Sequence, residues 1–169
     1  MALYRVKQFM WGVTSYLKKV DTEYINKFLD KNEKELFNKL KHNDKHHSIR
    51  VCKDAINISK KKCSNIDINR VAKAALLHDI GKGEYGLNII EKSALVLVNK
   101  ATKGKMKKYS GIKHIDIYYN HGEKGADLLK DSNKYDKQFL DSIRYHHNKK
   151  QQAKNNQLLD IIKESDDMN

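Results

Sequence analysis

One short segment, AALLHDIGKGEYG at residues 74–86, sets the strongest limit on how this chain can fold. An apolar helical run ends there on His78 and Asp79, and Gly81 and Gly83 follow directly. Burying an imidazole and a carboxylate costs several kcal/mol unless a partner compensates them. The segment therefore predicts one of two things: a core helix that ends on a satisfied polar pair, or a helix end that holds a cation.

Helical spacing of apolar residues dominates the chain, and no stretch shows the alternation of a half-buried strand. Candidate capping residues stand where the pattern restarts, namely Asp21 or Thr22, Asn32, and Asn43 or Asp44. Further helices are predicted over residues 67–80, 88–101, 113–120, 122–131, 137–147 and 156–166. The sequence therefore predicts an all-α fold, a compact multi-helix bundle.

One domain is expected over residues 1–169, because neither a composition shift nor an internal repeat divides the chain. In this domain, helices of residues 1–42 pack on a core of residues 43–169. Cys52 and Cys63 form no CxxC pattern and nothing marks export, so both are expected to be reduced thiols. The expected location is cytoplasmic.

The stretch ALYRVKQFMWGVTSYLKK at residues 2–19 has apolar residues at helical spacing. Arg5, Lys7 and Gln8 interrupt any apolar run, which excludes a signal peptide and a membrane span. The sequence predicts an amphipathic helix, which is more often docked on its domain than laid on a membrane surface.

The formal net charge of +13 raises the question of a nucleic-acid partner, because basic faces bind phosphate backbones. Only four of the 34 basic residues are Arg, the residue that base and phosphate recognition favours. We therefore expect no specific nucleic-acid partner and no membrane partner, while a homodimer stays open. A positive field also concentrates anions near any cleft it surrounds, which favours a phosphorylated small-molecule substrate.

Histidines and acids stand at the ends or on the apolar faces of five predicted helices. In chain order they are His46 and His47, His78 and Asp79, His121, His146 and His147, and Asp166. A lone His on such a face is usually a satisfied core residue. Five helices that each direct such side chains to one point would instead build a closed cage for a cation.

Five segments, HSIRV, LLHDIGK, HGEKGADLL, IRYHHN and the final ESD, resemble in order the signature of the HD-domain metal-dependent phosphohydrolases. The resemblance covers residues 44–167 and is that of a small stand-alone bacterial member. It implies a helical core in which four residues match the ligands of one metal ion: His47, His78, Asp79 and Asp166. Asp79 then bridges to a second ion, and His121 and His146 match the extra pair of two-metal members.

The same resemblance decides between neighbouring histidines. The pattern His-Ser-x-Arg-Val selects His47 over His46, and the pattern Tyr-His selects His146 over His147. The resulting ligand set combines imidazole and carboxylate without thiolate, which suits Fe, Mn, Co or Zn. Two such divalent ions would activate a water molecule and bind a phosphoryl oxygen.

The predicted function is hydrolysis of a phosphate ester or anhydride, in a nucleotide or a dinucleoside polyphosphate. Asp79 and Lys82 are the predicted catalytic residues, and Arg50, Lys82 and His147 are the predicted substrate contacts. A charge at the C-terminus of a helix is the alternative role for Lys82. A structural salt bridge is the alternative for Arg50.

The sequence narrows the substrate only in part. The IRY before His146 is similar to the bacterial HD-type diadenosine tetraphosphate hydrolases, whereas HGEKGADLL lacks the Gly-Tyr-Pro of the cyclic diguanylate phosphodiesterases. Tyr85, Tyr109, Tyr118 and Tyr119 can stack on a base or pack in the core. Two other functions stay open: a non-catalytic, metal-stabilised signalling or interaction module, and an RNA- or membrane-binding protein that uses the basic surface.

Overall fold

The computed structural model describes residues 10, 14, 17–62, 65–87, 89–148 and 155–169, and these contain helices and no strand. Their eight α-helices are α1 (Thr22–Asn26), α2 (Lys31–Asn38), α3 (His42–Lys62), α4 (Ile68–Leu77), α5 (Ile89–Ala101), α6 (Lys113–Lys130), α7 (Lys137–Arg144) and α8 (Gln157–Asp167). Two 3₁₀ segments, Ile80–Tyr85 and Lys105–Tyr109, follow α4 and α5. The prediction of an all-α bundle is confirmed.

The helix expected at residues 2–19 lies almost wholly outside the described residues, as does Cys63. The extent of a single domain over residues 1–169 therefore stays a prediction. Cys52 is a buried free thiol. Among the helices that the structure describes, none is both long enough and apolar enough to cross a membrane.

The core lies around α4, which is buried on nearly every side. Val71, Ala75 and Leu76 of this helix have no exposed surface. Helices α2, α3, α7 and α8 all pack against α4. Helices α3, α7 and α8 bury apolar or small residues at the spacing of three or four that an amphipathic helix requires, and α2 buries Phe37.

Polar caps begin five of these helices. Asp21, Asp30, Asp67, Asp136 and Asn156 each accept a hydrogen bond from a backbone N–H in the first turn of the helix that follows. The prediction of Asp21 is confirmed. The prediction of Asn32 is wrong, because Asp30 and Glu33 form a reciprocal capping box at an earlier start.

Three predicted helix bounds also change, and one of them is the end of the helix predicted over residues 137–147, which stops at Arg144. Helix α3 begins at His42, so Asn43 and Asp44 lie inside it and do not cap it, and the side chain of Asp44 is buried. The helix predicted over residues 67–80 ends at Leu77, because the chain tightens there into the 3₁₀ segment Ile80–Tyr85.

A single helix, α6, replaces the two helices predicted over residues 113–120 and 122–131. Gly122 does not end the helix but allows its close approach to the end of α7. A Cβ atom at Gly122 would lie 2.7 Å from the carbonyl oxygen of Arg144. The lack of a side chain at Gly122 therefore permits close packing between helices and does not mark a turn.

Gly81 permits an even closer approach on the other side of α6. A Cβ atom at Gly81 would overlap the carbonyl oxygen of His121 and lie 2.5 Å from the backbone nitrogen of Gly125. The segment that follows α4 can therefore rest directly on the backbone of α6.

We expect Gly81→Ala to lower the free energy of unfolding by about 1–3 kcal/mol or more, because the added methyl group must displace backbone. Urea denaturation measures the loss. Gly111→Ala is the matched control, since nothing lies within 4 Å of a Cβ atom at that position. Equal stability of the two variants would contradict the close contact between Gly81 and α6.

Candidate metal centre

Asp79 lies at the centre of a buried cluster and has no exposed surface. Its Oδ2 atom is 3.3 Å from Nε2 of His78 and 3.6 Å from Nε2 of His47. Its Oδ1 atom is 3.3 Å from Nε2 of His121 and 3.8 Å from Nε2 of His146. Each carboxylate oxygen thus faces its own pair of imidazoles.

The potential ligands form two groups, and within each group the donor atoms lie within 4.8 Å of one another. The first group is His47, His78 and Asp166, and the second is Asp79, His121, His146 and His147. Asp166, on α8, lies 3.0 Å from Nε2 of His47 and 3.7 Å from Nε2 of His78. Asp79 belongs to the second group, and its Oδ2 atom also faces His47 and His78 of the first group.

Main-chain carbonyls orient three of the imidazole rings. The Nδ1 atoms of His78, His121 and His146 lie 2.7, 2.8 and 2.6 Å from the carbonyl oxygens of Ala75, Ile117 and Ile143. A carbonyl oxygen can only accept, so Nδ1 carries the proton and donates it. In each neutral ring the lone pair is then on Nε2, the atom that faces Asp79.

The charge states of the cluster follow from burial and from neighbouring charges. Burial, together with His78 and His121, lowers the pKa of His146 to about 3, so this ring is neutral. Burial opposes ionisation of Asp79, but His78 and Lys82 outweigh it and hold the pKa of Asp79 well below its ordinary value. A neutral imidazole and an ionised carboxylate are the states that bind metal.

Several polar atoms of this cluster are buried and make no hydrogen bond within the described part of the chain. They are Nε2 of His78, His121 and His146, and Oδ1 of Asp79. Buried polar atoms without a partner are costly and rare in native proteins. Convergent Nε2 lone pairs around a carboxylate fit divalent cations, so this donor set can hold metal.

The two neighbouring histidines near the start of α3, His46 and His47, point in different directions. His47 faces Asp79, whereas Nε2 of His46 lies 3.1 Å from the carbonyl oxygen of Lys18 and 3.2 Å from Nε2 of His42. His46 therefore points away from the cluster.

The two neighbouring histidines after α7, His146 and His147, both lie at the ligand cluster. His146 is buried among the ligand atoms, and His147 lies next to it with Nδ1 at 3.5 Å from Oδ2 of Asp166. The side chain of His147 is 55% exposed, so it lies at the edge of the cluster. His147 was predicted as a substrate contact, and the structure also places its ring nitrogen among the potential ligand atoms of the second group.

Lys82 forms ion pairs inside the protein. Its Nζ atom donates to Oδ2 of Asp79 and lies 3.7 Å from Oδ1 of Asp44, and its side chain is only 10% exposed. Lys82 stands in the 3₁₀ segment Ile80–Tyr85, and its alternative role as a charge at a helix end stays a prediction.

Asp44 is the residue that the sequence did not predict for this site. One of its carboxylate oxygens, Oδ2, is buried and makes no hydrogen bond to any residue that the structure describes, and a Cβ atom at Gly86 would lie 2.6 Å from it. The helical spacing could have indicated this residue, because Asp44 stands three residues before His47 and therefore on the same helix face.

A cleft of about 870 Å³ opens on the second ligand group. Its lining includes Lys82, Asp44, His121, His146, His147, Tyr118 and Tyr119. Tyr85 and Tyr109 line other grooves, and Arg50 is absent from the residues that line this cleft. Arg50 lies half-buried one turn after His47 on α3, and its contact with phosphate stays a prediction.

The comparison with protein families gives one match, in which the family model described as HD domain matches residues 45–168. The matched span contains every predicted metal ligand, from His47 to Asp166. A search of curated proteins and a search of solved structures found no match.

We expect Lys82→Ala to lower the free energy of unfolding by about 3 kcal/mol in the presence of a metal chelator. The change leaves the buried carboxylates of Asp79 and Asp44 without their ammonium partner. Lys124→Ala is the control, because the exposed pair of Lys124 with Asp116 contributes less than about 1 kcal/mol. Similar small losses in urea denaturation would contradict a buried role for Lys82.

Proposed function

Because the chain belongs to the HD domain family, we propose that it is a metal-dependent phosphohydrolase that cleaves a phosphate ester or anhydride. The observation that carries the proposal is the arrangement around Asp79. Both of its oxygens face imidazole Nε2 atoms, and three of those atoms are buried without a hydrogen bond in the described residues. This donor set favours Fe, Mn, Co or Zn over Mg and Ca, which prefer oxygen ligands.

The proposed ligands of the first ion are His47, His78, Asp79 and Asp166, and those of the second are Asp79, His121 and His146. Ions held there would supply Lewis acidity, which would polarise a phosphoryl oxygen and lower the pKa of a bound water. Asp79 contributes its ionised carboxylate to both positions. The main-chain carbonyls that hold the Nδ1–H groups keep the imidazoles in place.

The proposed substrate is a nucleotide or a dinucleoside polyphosphate. The ammonium group of Lys82 reaches the cleft beside Asp79 and would bind the phosphoryl oxygens. A second phosphate contact is proposed for His147, at the edge of the cluster, whereas the contact of Arg50 with phosphate stays a prediction because Arg50 does not line the cleft. Tyr118 and Tyr119, whose ring centroids are 5.0 Å apart, lie in the lining of the same cleft and offer faces for a base.

The open cleft favours catalysis over a purely structural metal centre. Structural sites are closed by protein ligands, whereas catalytic sites keep a position open to water and substrate. Here the second ligand group borders a cleft of about 870 Å³.

A substrate screen tests the proposal. Phosphomonoesters, dinucleoside polyphosphates and cyclic dinucleotides are incubated with the protein and Mn²⁺ or Fe²⁺, and released products are quantified. We expect metal-dependent hydrolysis of a nucleotide class, which a chelator abolishes. Metal binding without turnover of any class would instead support the non-catalytic module.

We expect Asp79→Asn to lose hydrolysis by orders of magnitude and to bind less metal at both positions. The amide keeps the shape of the side chain but removes the anionic ligand. Product release and metal content are measured on the same sample, and circular dichroism checks the helices. Asp131→Asn, an exposed change outside the cleft, is the control. Unchanged turnover in Asp79→Asn would remove Asp79 from the mechanism.

At saturating metal, we expect Lys82→Ala to lower kcat/KM by roughly 10²-fold, as loss of a transition-state donor does. Lys82→Arg keeps the charge and should retain part of the activity. Lys124→Ala should behave as the wild type, because Lys124 lies outside this cleft. If Lys82→Ala hydrolyses substrate at the normal rate, the role of Lys82 is structural alone.

A further inference from the structure

A second groove lies between α5, the 3₁₀ segment Lys105–Tyr109 and the start of α6. Its volume is about 750 Å³, and it shares no lining residue with the cleft at the ligand cluster. The buried side chains of Met106 and Ile115 line it. Val98, Tyr109 and Ile112 also line it, with 46%, 59% and 58% of their surface exposed.

Lysines are the charged residues of this groove. Lys103, Lys105 and Lys108 line it, and no acidic residue does. The surrounding sequence, residues 92–115, contains seven Lys and neither Asp nor Glu. Within the described part of the chain these three lysines make no ion pair, whereas lysines elsewhere do, as Lys62 does with Glu164.

Another groove of the described surface, of about 1020 Å³, has a different charge pattern. Its lining includes Lys113, Lys124 and Lys130, but also Asp127 and Asp131. The basic surface of the chain is therefore not uniform. Uncompensated positive charge combined with exposed aliphatic side chains is found at the groove of α5 and α6.

We propose that this groove and its lysines form a face that binds the surface of a bilayer containing anionic lipids. The charge of the face is complementary to that of the headgroups, and Lys103, Lys105 and Lys108 would contact them. Val98 and Ile112 would enter the boundary between headgroups and acyl chains, where interfacial segments bury their apolar side chains. The proposal departs from the expectation of no membrane partner, and it does not depend on the hydrolytic activity.

The composition of the face favours a bilayer over RNA. Proteins that bind single-stranded RNA use arginine and stacked aromatic rings. None of the four Arg residues lies in residues 92–115, and Tyr109 is the sole aromatic residue there. Exposed Val98 and Ile112 contribute nothing to phosphate binding but suit a lipid interface.

Vesicle flotation of the full chain tests the proposal. Vesicles of phosphatidylcholine alone are compared with vesicles that also contain phosphatidylglycerol, and binding of poly(U) RNA is measured in parallel. We expect partition into the anionic vesicles, weaker partition at high salt, and little binding to the neutral ones.

Three variants separate the contributions of charge and apolar contact. Lys103→Gln/Lys105→Gln/Lys108→Gln should weaken partition by roughly tenfold or more, because each lysine near an anionic surface contributes. The control Lys31→Gln/Lys60→Gln/Lys61→Gln has the same net charge and changes exposed lysines outside the groove. It should bind nearly as the wild type does. Val98→Ser/Ile112→Ser should weaken vesicle binding and leave any RNA binding unchanged.

Circular dichroism confirms that each variant is folded. Equal losses in the two lysine variants would reduce the effect to net charge and overturn the proposal. Equal binding to neutral vesicles would also overturn it, as would tight binding to poly(U) without binding to anionic vesicles.

Discussion

The buried carboxylate of Asp79 is the group on which the rest of this arrangement depends. An ionised carboxylate without exposed surface requires positive or proton-donating neighbours, because desolvation opposes its charge. The ammonium of Lys82 is such a neighbour, and the imidazole Nε2 atoms of four separate histidines converge on the same carboxylate as potential metal donors. The packing of α3, α6 and α7 around the end of α4 is therefore coupled to the electrostatics of one side chain.

Close backbone contact is what brings those segments together. Gly81 rests on the carbonyl oxygen of His121, and Gly122 approaches the carbonyl oxygen of Arg144. His121 precedes Gly122, and His146 follows Arg144 by two residues, so the same contacts bring the His121 and His146 rings within 5.2 Å of each other. The helix packing and the ligand geometry thus share one physical cause.

The charges of the protein differ between its interior and its surface. Inside, the ammonium of Lys82 pairs with Asp79 and Nε2 of His47 contacts Asp166, in a compact cluster beside a cleft. At the groove of α5 and α6, lysines stand without acidic partners among the described residues. The first arrangement suits chemistry on a phosphorylated ligand, and the second suits attraction to an anionic surface. The two proposals therefore rest on separate residues.

The sequence by itself determined the helical fold and the residue types of the cluster. Apolar spacing specifies which face of a helix is buried, and the HD-type motifs singled out His47, His78, Asp79, His121, His146 and Asp166. Tertiary structure decided that α6 is continuous, that His147, predicted as a substrate contact, also contacts Asp166, and that Asp44 pairs with Lys82. Local spacing describes one helix at a time. Which helix ends meet depends on contacts between distant residues, such as Gly81 with His121, and no local pattern encodes them.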